Sequence, residues 1–558
     1  MVKNNMMENS PKILFVSPYI PYPKAGVKED NLDYFYYRNT FGQGLFQIRQ
    51  MHSWHPLHYL AQNLPVFSVV LENPEFEQFT SEIEIGNYDI VAITFTVMLS
   101  DRVLYMSRWL KNNFPDIEII IGGYGTSIFS EQLGIEQEIA KYVDHVCTGE
   151  GLLFMMDYLK KNWKIDTEIP YSQELIPAEN SVFRTHIPLF RQLNFVASLG
   201  CSHGCEFCAT SSHFDRKKIK ILEGKSLYQI IRKQADKYPK INSAIIYDEN
   251  FLDNRIEVLK FMKCMENDMD FQTRPFLITV FSSLHSIMKY EIEELIRCGI
   301  GTIFVGVESF DDEILNRMHK RGGGDVNELF EKLHRHGINT LGSMVIGWDE
   351  HDHVNIKKEL DLFIDLTPTF YQIVPLHPLP GTPLWKRMKS KKRIIPDYKY
   401  EEDGVYRNSF KYKNFTQCEI QKHVFSAYDK LVNVDGPWPF RLFSNLLNGY
   451  SNLKDSESEI LQLRAKGYKK MLSQVGPLAC ISGLVFKGEF REKWKKMIKL
   501  YFYEMPVIAL LSLLSGLFLL PALAVIYILT KIKFYIMPHG DQPDTRRIIY
   551  DNSEPGRD

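Results

Sequence analysis

The chain has 558 residues, 45% of them hydrophobic and 24% charged, with a formal net charge of −2. That length suggests several domains, and that composition supports packed cores and excludes a wholly disordered chain. The net charge is neutral on nucleic acid as a partner, but the lack of a stripe of Arg and Lys interleaved with aromatics argues against it.

Eight cysteines in this length are too few for a disulfide framework. No long apolar signal core precedes the first strand-like run, so a reducing, cytoplasmic setting is expected.

Residues 1–160 read as strands alternating with helices. Apolar runs at 13–16, 66–71, 90–95, 117–121 and 142–147 are separated by helix-like segments such as 100–113, which predicts a Rossmann-like parallel sheet. Ligands on such sheets bind at the carboxyl ends of strands. Gly122, Gly123 and the run Thr148-Gly-Glu-Gly151 fall at those ends, as tight turns or as places of close backbone approach. An aromatic insert at 19–55 holds Tyr34, Phe35, Tyr36, Tyr37, Phe41, Gly42, Gly44, Arg49, His52 and His55, and reads as a lid or a packed surface loop. Residues 161–194, with Pro170, Pro177 and Pro188, read as a linker.

The run Cys201-Ser-His-Gly-Cys205-Glu-Phe-Cys208 follows. Three thiolates within eight residues can converge on a soft metal centre. A structural zinc site would need a fourth ligand, from His203, His213 or a distant residue. Closely spaced cysteines also hold iron–sulfur clusters, and three on a four-iron cluster leave one iron open. Cys147, Cys264, Cys298, Cys418 and Cys480 lie far apart and read as core residues.

From 195 to 390 the alternation returns. Strand-like runs at 194–199, 244–247, 277–281, 302–307, 341–346 and 371–375 are separated by helices at 226–238, 255–267, 286–298 and 312–336, which predicts a partial (β/α)6 TIM-like barrel. Active residues of barrels cluster after the strand ends. The cysteines, Asp248-Glu249-Asn250, Ser282-Ser283, Glu308-Ser309, Gly347, and His377 with Pro380-Gly-Thr382 fall there in turn.

The Cys-x3-Cys-x2-Cys spacing, with Phe207 before the last cysteine, resembles the signature of the radical S-adenosylmethionine (radical SAM) enzymes. The resemblance extends through Tyr247-Asp-Glu-Asn-Phe251, Gly306-Val-Glu-Ser309, Val345-Ile-Gly347 and Pro378-Leu-Pro-Gly-Thr-Pro383. It implies a 4Fe–4S cluster on Cys201, Cys205 and Cys208 whose open iron binds SAM, with Phe207 near adenine. It also implies that Asp248, Glu249, Asn250, Ser282 and Glu308 contact the polar parts of SAM and that Gly347 lies near adenine. One-electron reduction, from a donor such as flavodoxin or ferredoxin, would cleave SAM to a 5′-deoxyadenosyl radical that attacks an unactivated carbon. The first 150 residues resemble the cobalamin-binding-type domain in front of many radical SAM cores, though the Asp-x-His-x-x-Gly motif of many cobalamin proteins is absent. With cobalamin, methyl transfer is implied; without it, cyclisation, rearrangement or C–C joining. A non-catalytic iron–sulfur or zinc-binding membrane protein is the remaining reading.

Residues 391–500 turn helical and basic, which suggests a cap that sets substrate choice, with Tyr428, Asp429 and Asp435 as candidates to face it. Residues 505–530 carry no charge and are long enough to span a bilayer, or to re-enter it if Pro506 and Pro521 split the segment; a buried core helix pair and an amphipathic interfacial segment are the other readings. Arg491, Lys493, Lys495, Lys496 and Lys499 before it, against Lys531 and Lys533 behind, favour the cytoplasmic face for the core. A membrane segment suggests a lipid or other apolar small-molecule substrate. The polar tail, 531–558, reads as disordered.

Overall fold

The computed structural model describes residues 10–22, 24–25, 29–30, 39–40, 43–51, 53–131, 133–165, 169, 171–182, 188–318, 320, 324–396, 398–400, 409–536 and 542–553. Among these, the first sheet has the strand order Arg546–Asp551, Phe67–Glu72, Ile13–Val16, Ile90–Thr94, Glu118–Gly122, His145–Val146. All but the first of these pair in parallel. Helices cover both faces, so Ile13, Leu14, Phe15 and Val16 are each fully buried and the strand is apolar throughout rather than alternating. Burying each such side chain stabilises the sheet by roughly 1.5–3 kcal/mol. The strand order reverses between Ile13–Val16 and Ile90–Thr94, and a crevice opens where strand order reverses.

The second sheet is the half barrel. Its order is Phe370–Pro375, Asn339–Ile346, Ile300–Glu308, Leu277–Ser283, Ser243–Tyr247, Pro188–Val196, Ala178–Val182, Ile48–Met51. The first six are parallel, each register carrying the next strand's carboxyl end to the same rim. The last two are antiparallel additions. Residues 161–194 are thus more than a linker, since two of the strands begin there, and the insert contributes the edge strand Ile48–Met51. The polar sequence of Ala178–Val182, AENSV, hides that pairing: the strand is flanked by Pro188–Val196 and Ile48–Met51, and its buried Asn180 and Ser181 form no apolar run. Of the insert's aromatics, Tyr34 to Tyr37 and Phe41 lie outside the described residues, as do Gly42 and His52.

Three further expectations change. The helix expected over 286–298 is two short ones, Leu284–Ile287 and Ile292–Arg297, and that over 312–336 becomes Asp312–Arg317 and Val326–Arg335. The tail is not disordered throughout: Arg546–Asp551 adds an antiparallel edge strand to Phe67–Glu72. Its alternation places Tyr550 against the body, with its Oη 2.8 Å from His58 Nδ1, while Arg547 makes a two-point pair with Glu82. Finally, the helices Trp438–Leu453 and Glu459–Val485 close the amino ends of the barrel strands. Arg441 Nε donates to the Thr369 carbonyl at 2.9 Å, Asn445 Nδ2 to Thr369 Oγ1 at 2.7 Å, and Arg464 to the Ile300 carbonyl. Those contacts sit at the end where barrels are stabilised, opposite the rim where chemistry occurs, so these helices are a floor rather than a substrate cap.

Helix Pro506–Ile536 is continuous through Pro521 and is not split into a re-entrant pair. Among the described residues it is one helix long and apolar enough to cross a membrane, with mean hydropathy 2.4 over Pro506–Leu529.

Candidate active site

The cysteine loop leaves strand Pro188–Val196 through Ser198–Leu199 and is shaped by backbone rather than by packing. Gly204 has φ of +73°, and a Cβ there would stand 2.9 Å from the Arg216 side chain. Ser211 ties the loop shut, its Oγ donating to the Cys201 carbonyl at 2.8 Å and accepting from Gly204 N at 3.1 Å. Cys208 caps helix Ala209–His213, with Sγ accepting from Ser211 N at 3.5 Å. Cys205 Sγ donates to the Met318 carbonyl at 3.4 Å, and Cys201 Sγ lies 3.4 Å from His203 Nδ1.

Burial pushes all three thiols up, Cys205 to about 12 and Cys208 to about 11, and a charge on one disfavours a charge on the next. Three thiolates together are stable here only if a cation replaces the protons. The donor set fits a soft metal centre on those grounds. Among the described residues, no three His, Cys, Asp or Glu side chains are gathered as ligands of a single ion. A cluster asks for less, because each thiolate binds a different iron.

The acidic turn after strand Ser243–Tyr247 divides into two roles. Asp248 and Asn250 are buried in a network: Lys218 Nζ donates to Asp248 Oδ1 at 2.8 Å, Asn250 N donates to the same oxygen at 2.8 Å, and Ser282 Oγ donates to Asn250 Oδ1 at 2.9 Å. Asn250 Nδ2 adds a bond to Ser286 Oγ at 3.0 Å. Glu249 is exposed, and it lines a cavity between the two sheets that Asp248 also touches. It is open to that cavity but ringed by protein, so burial raises its carboxyl above the ordinary range despite a hydrogen bond with Thr210. Its charge is felt at Cys201 and Cys208.

Glu308 is buried at the end of its strand with φ of +65°, a left-handed backbone held for a non-glycine residue. Lys320 Nζ lies 2.5 Å from its Oε1. Burial alone would push the Lys320 ammonium down, but the Glu308 carboxylate together with the neighbouring Cys205 and Cys208 outweighs it and holds the ammonium above its usual range. Phe207 packs edge-on to Trp348, ring centroids 6.0 Å apart, next to Gly347. Gly347 itself is buried in a turn with φ of +92°, where a Cβ would meet the Tyr412 ring at 2.6 Å.

The cavity measures about 510 Å³. One wall is the carboxyl rim of the first sheet: Phe15, the turn 94–96, Gly122 to Tyr124, and Gly149 to Gly151. The other is the start of the barrel, with Val196, Ser198, His213, Tyr247, Glu249 and Phe281. Helix His55–Gln62 supplies His55, Tyr59 and Leu60 between them. Tyr124 joins the walls, its Oη donating to Thr210 Oγ1 at 3.3 Å and its ring 5.0 Å from that of His213.

Spacing and strand-end logic therefore brought the cysteines, Asp248, Asn250 and Ser282 into one neighbourhood. It missed Lys218, Lys320 and Thr210, whose roles arise only when separate loops meet. Tyr428 and Asp435 do not face the cavity: Tyr428 Oη donates to the Ile373 carbonyl at 3.2 Å, and Asp435 is buried against Lys493. Asp429 is not among the cavity's lining residues either.

Residues 195–360 match the family model described as Radical SAM superfamily. The chain is 22% identical over 327 residues to bacteriochlorophyllide d C-12(1)-methyltransferase of Chlorobaculum tepidum, covering 57% of this chain and 70% of that protein. It is 29% identical over 211 residues to the hopanoid C-2 methylase of Rhodopseudomonas palustris, 36% of this chain and 38% of the relative. The solved structure of the radical S-adenosylmethionine methyltransferase TsrM from Kitasatospora setae, with cobalamin and 4Fe–4S cluster bound, aligns with a TM-score of 0.51 at 12% identity, over 84% of this chain and all of that one. That likeness is one of fold.

Proposed function

We propose that this chain, a radical SAM enzyme with an N-terminal domain of the cobalamin-binding type, methylates an unactivated carbon of an apolar substrate at the cavity between its two sheets. The observation that carries the reading is that cavity, walled by the start of the barrel up to Leu199 and Gly200, which lead into the cysteine loop, and by the glycine-rich rim of the first sheet. The relatives named as methyltransferases support the reaction type.

Cys201, Cys205 and Cys208 would hold a 4Fe–4S cluster, and the rim at Gly122, Gly123, Gly149 and Gly151 would face a corrinoid. When bound, the cluster supplies an electron to SAM and the corrinoid a carrier for the methyl group. The rim leaves room for a ligand at Gly149, where an added Cβ would meet nothing within 4 Å. The chain itself excludes water, orients and holds protons. Lys218 and Ser282 fix the buried acidic turn, Glu249 carries a carboxyl biased toward its neutral form, and Glu308 presents a carboxylate whose charge Lys320 balances. We assign Asp248, Asn250, Ser282 and Glu308 to the polar parts of SAM, and Phe207 with Gly347 to the adenine side.

An apolar substrate is supported by the barrel's inner face. The Tyr247 and Phe281 rings are 6.2 Å apart and those of Phe281 and Phe304 5.1 Å, and Phe304 joins a cluster with Leu341, Phe370, Leu520 and Leu523. That apolar path runs from the cavity to helix Pro506–Ile536, through which we place the enzyme on a membrane, with a flavodoxin or ferredoxin as reductant.

The test uses anaerobically purified protein from cobalamin-supplied cells. Bound corrinoid absorbance, roughly four irons per chain and reductant-dependent SAM cleavage are expected. Gly149→Phe should keep the iron and the SAM cleavage while the corrinoid absorbance falls to background. Undiminished corrinoid in that variant would place the ligand elsewhere. The missing Asp-x-His-x-x-Gly motif favours one second reading, in which the same radical chemistry runs without cobalamin; wild-type protein free of corrinoid but active in SAM cleavage would select it.

A further inference from the structure

We infer that helix Pro506–Ile536 lies flat in one leaflet of an anionic bilayer and does not cross it, so that both of its ends stay on the side of the catalytic body. The inference rests on the membrane reading above and adds orientation to it.

The helix is held lengthwise. Met505, Ala509, Ser512 and Gly516 are buried, and Leu520, Leu523 and Tyr527 continue the row, a spacing of three and four that puts all seven on one face. That face meets helix Glu459–Val485 at close range: a Cβ at Gly516 would stand 2.4 Å from the Pro477 carbonyl, and one at Gly476 would stand 2.6 Å from Ser512 Oγ. Ser512 Oγ also lies 3.0 Å from Tyr501 Oη. Further along, Leu520 and Leu523 pack with Phe46 and Trp438, and the Tyr527 ring reaches Gly44.

Both ends return to one body. Before the helix, Glu504 pairs with Lys454 at 2.6 Å. After it, Gln542 Oε1 accepts from Tyr22 N at 2.7 Å, Thr545 Oγ1 donates to the Asn73 carbonyl at 2.9 Å, and Arg546–Asp551 joins the first sheet. From Ile536 to Gln542 the chain can reach at most about 21 Å. The hydrocarbon core of a bilayer is about 30 Å thick. A crossing helix would leave its carboxyl end on the far side with too little chain to reach that sheet.

The opposite face is apolar and bare. Leu511, Leu514, Phe518, Val525, Ile528 and Ile532 are each at least half exposed, Phe518 by 84%. The stretch Pro506–Leu529 runs about 36 Å at the helical rise, and a contiguous exposed apolar stripe marks an interaction surface. In-plane helices ordinarily turn a polar face to water. Here the protein body takes that place. At the amino end, Arg491, Lys495, Lys496 and Lys499 are exposed with Tyr503 on helix Phe490–Glu504, which leads directly into the apolar helix, and Lys495 also pairs with Glu492 at 2.6 Å; such a basic flank suits anionic headgroups.

Two measurements on the full-length holoenzyme separate this inference from the membrane reading. In flotation with vesicles of equal parts phosphatidylcholine and phosphatidylglycerol, the protein should rise with the lipid. Lys495→Glu with Lys496→Glu should weaken that binding about tenfold but leave binding to pure phosphatidylcholine unchanged. Leu514→Glu with Phe518→Glu should abolish flotation while keeping the iron content of the wild type. Failure to float, or a lipid-free dimer using this face, would sink both readings. In sealed vesicles, epitopes at the two termini should be digested together from the side that exposes the catalytic body and protected together from the other. A carboxyl-terminal epitope digested from the opposite side would overturn the in-plane helix and leave the anchor standing.

Discussion

Cys208→Ala is expected to purify with less than one iron per chain, against roughly four for the parent, and to give no 5′-deoxyadenosine from SAM. The thiol has two functions in the fold, which the variants can separate. As a cap, its sulfur accepts from Ser211 N on the first turn of helix Ala209–His213, and losing a cap costs about 1 kcal/mol. As a ligand it is one of three buried thiols that resist ionising without a bound cation. Cys208→Ser restores a capping oxygen but not a soft ligand. It should therefore fold like the parent and still lack iron. Cys418→Ala, at an exposed cysteine on helix Gln417–Asp435, should keep both iron and cleavage. Parental iron in Cys208→Ala would show the ligands to be misassigned. Stoichiometric zinc without SAM cleavage in the parent would restore the zinc reading and end the catalytic one.

Much of this architecture can be read from residues because its central strands are buried on both faces. Ile13–Val16 and Asn339–Ile346 are buried at every position; apolar residues mark the first throughout and the second at its carboxyl end, Met344 to Ile346, and the turns that follow carry the chemistry. The strands added outside the parallel sets lack that signal. Ala178–Val182 and Arg546–Asp551 are polar or alternating, and only the sheet they join gives them their role. The cysteine triplet is legible because its ligands are local in sequence. Lys218 and Lys320 are not, since each meets its carboxylate across a loop, 30 and 12 residues away. The helical C-terminal region misleads for a related reason: periodicity shows that a helix packs, but not whether it packs on the rim or on the floor of the barrel.

Lys320→Met is expected to produce the second large effect, a loss of about 3 kcal/mol in stability. Lys320 Nζ lies 2.5 Å from Glu308 Oε1, with side-chain exposures of 18% and 10%, so the pair is mostly shielded from solvent. Removing the lysine strands a carboxylate in that site, on a left-handed backbone that costs of order 1–3 kcal/mol to hold. The double variant Lys320→Met with Glu308→Gln removes the stranded charge and should recover most of the loss. If Lys320 only completes a structural pair, added SAM will stabilise the single variant no more than it stabilises the parent. If Glu308 contacts the polar parts of SAM, as we assign it, a donor group of SAM takes the place of the missing lysine. SAM should then stabilise Lys320→Met more than the parent by about 1.5–3 kcal/mol, the range of a charge-assisted hydrogen bond. Glu308→Gln, with the lysine left in place, should show the smallest stabilisation by SAM of the three. An equal response in all three proteins would remove Glu308 from the SAM site while leaving the ion pair as a structural element of the barrel.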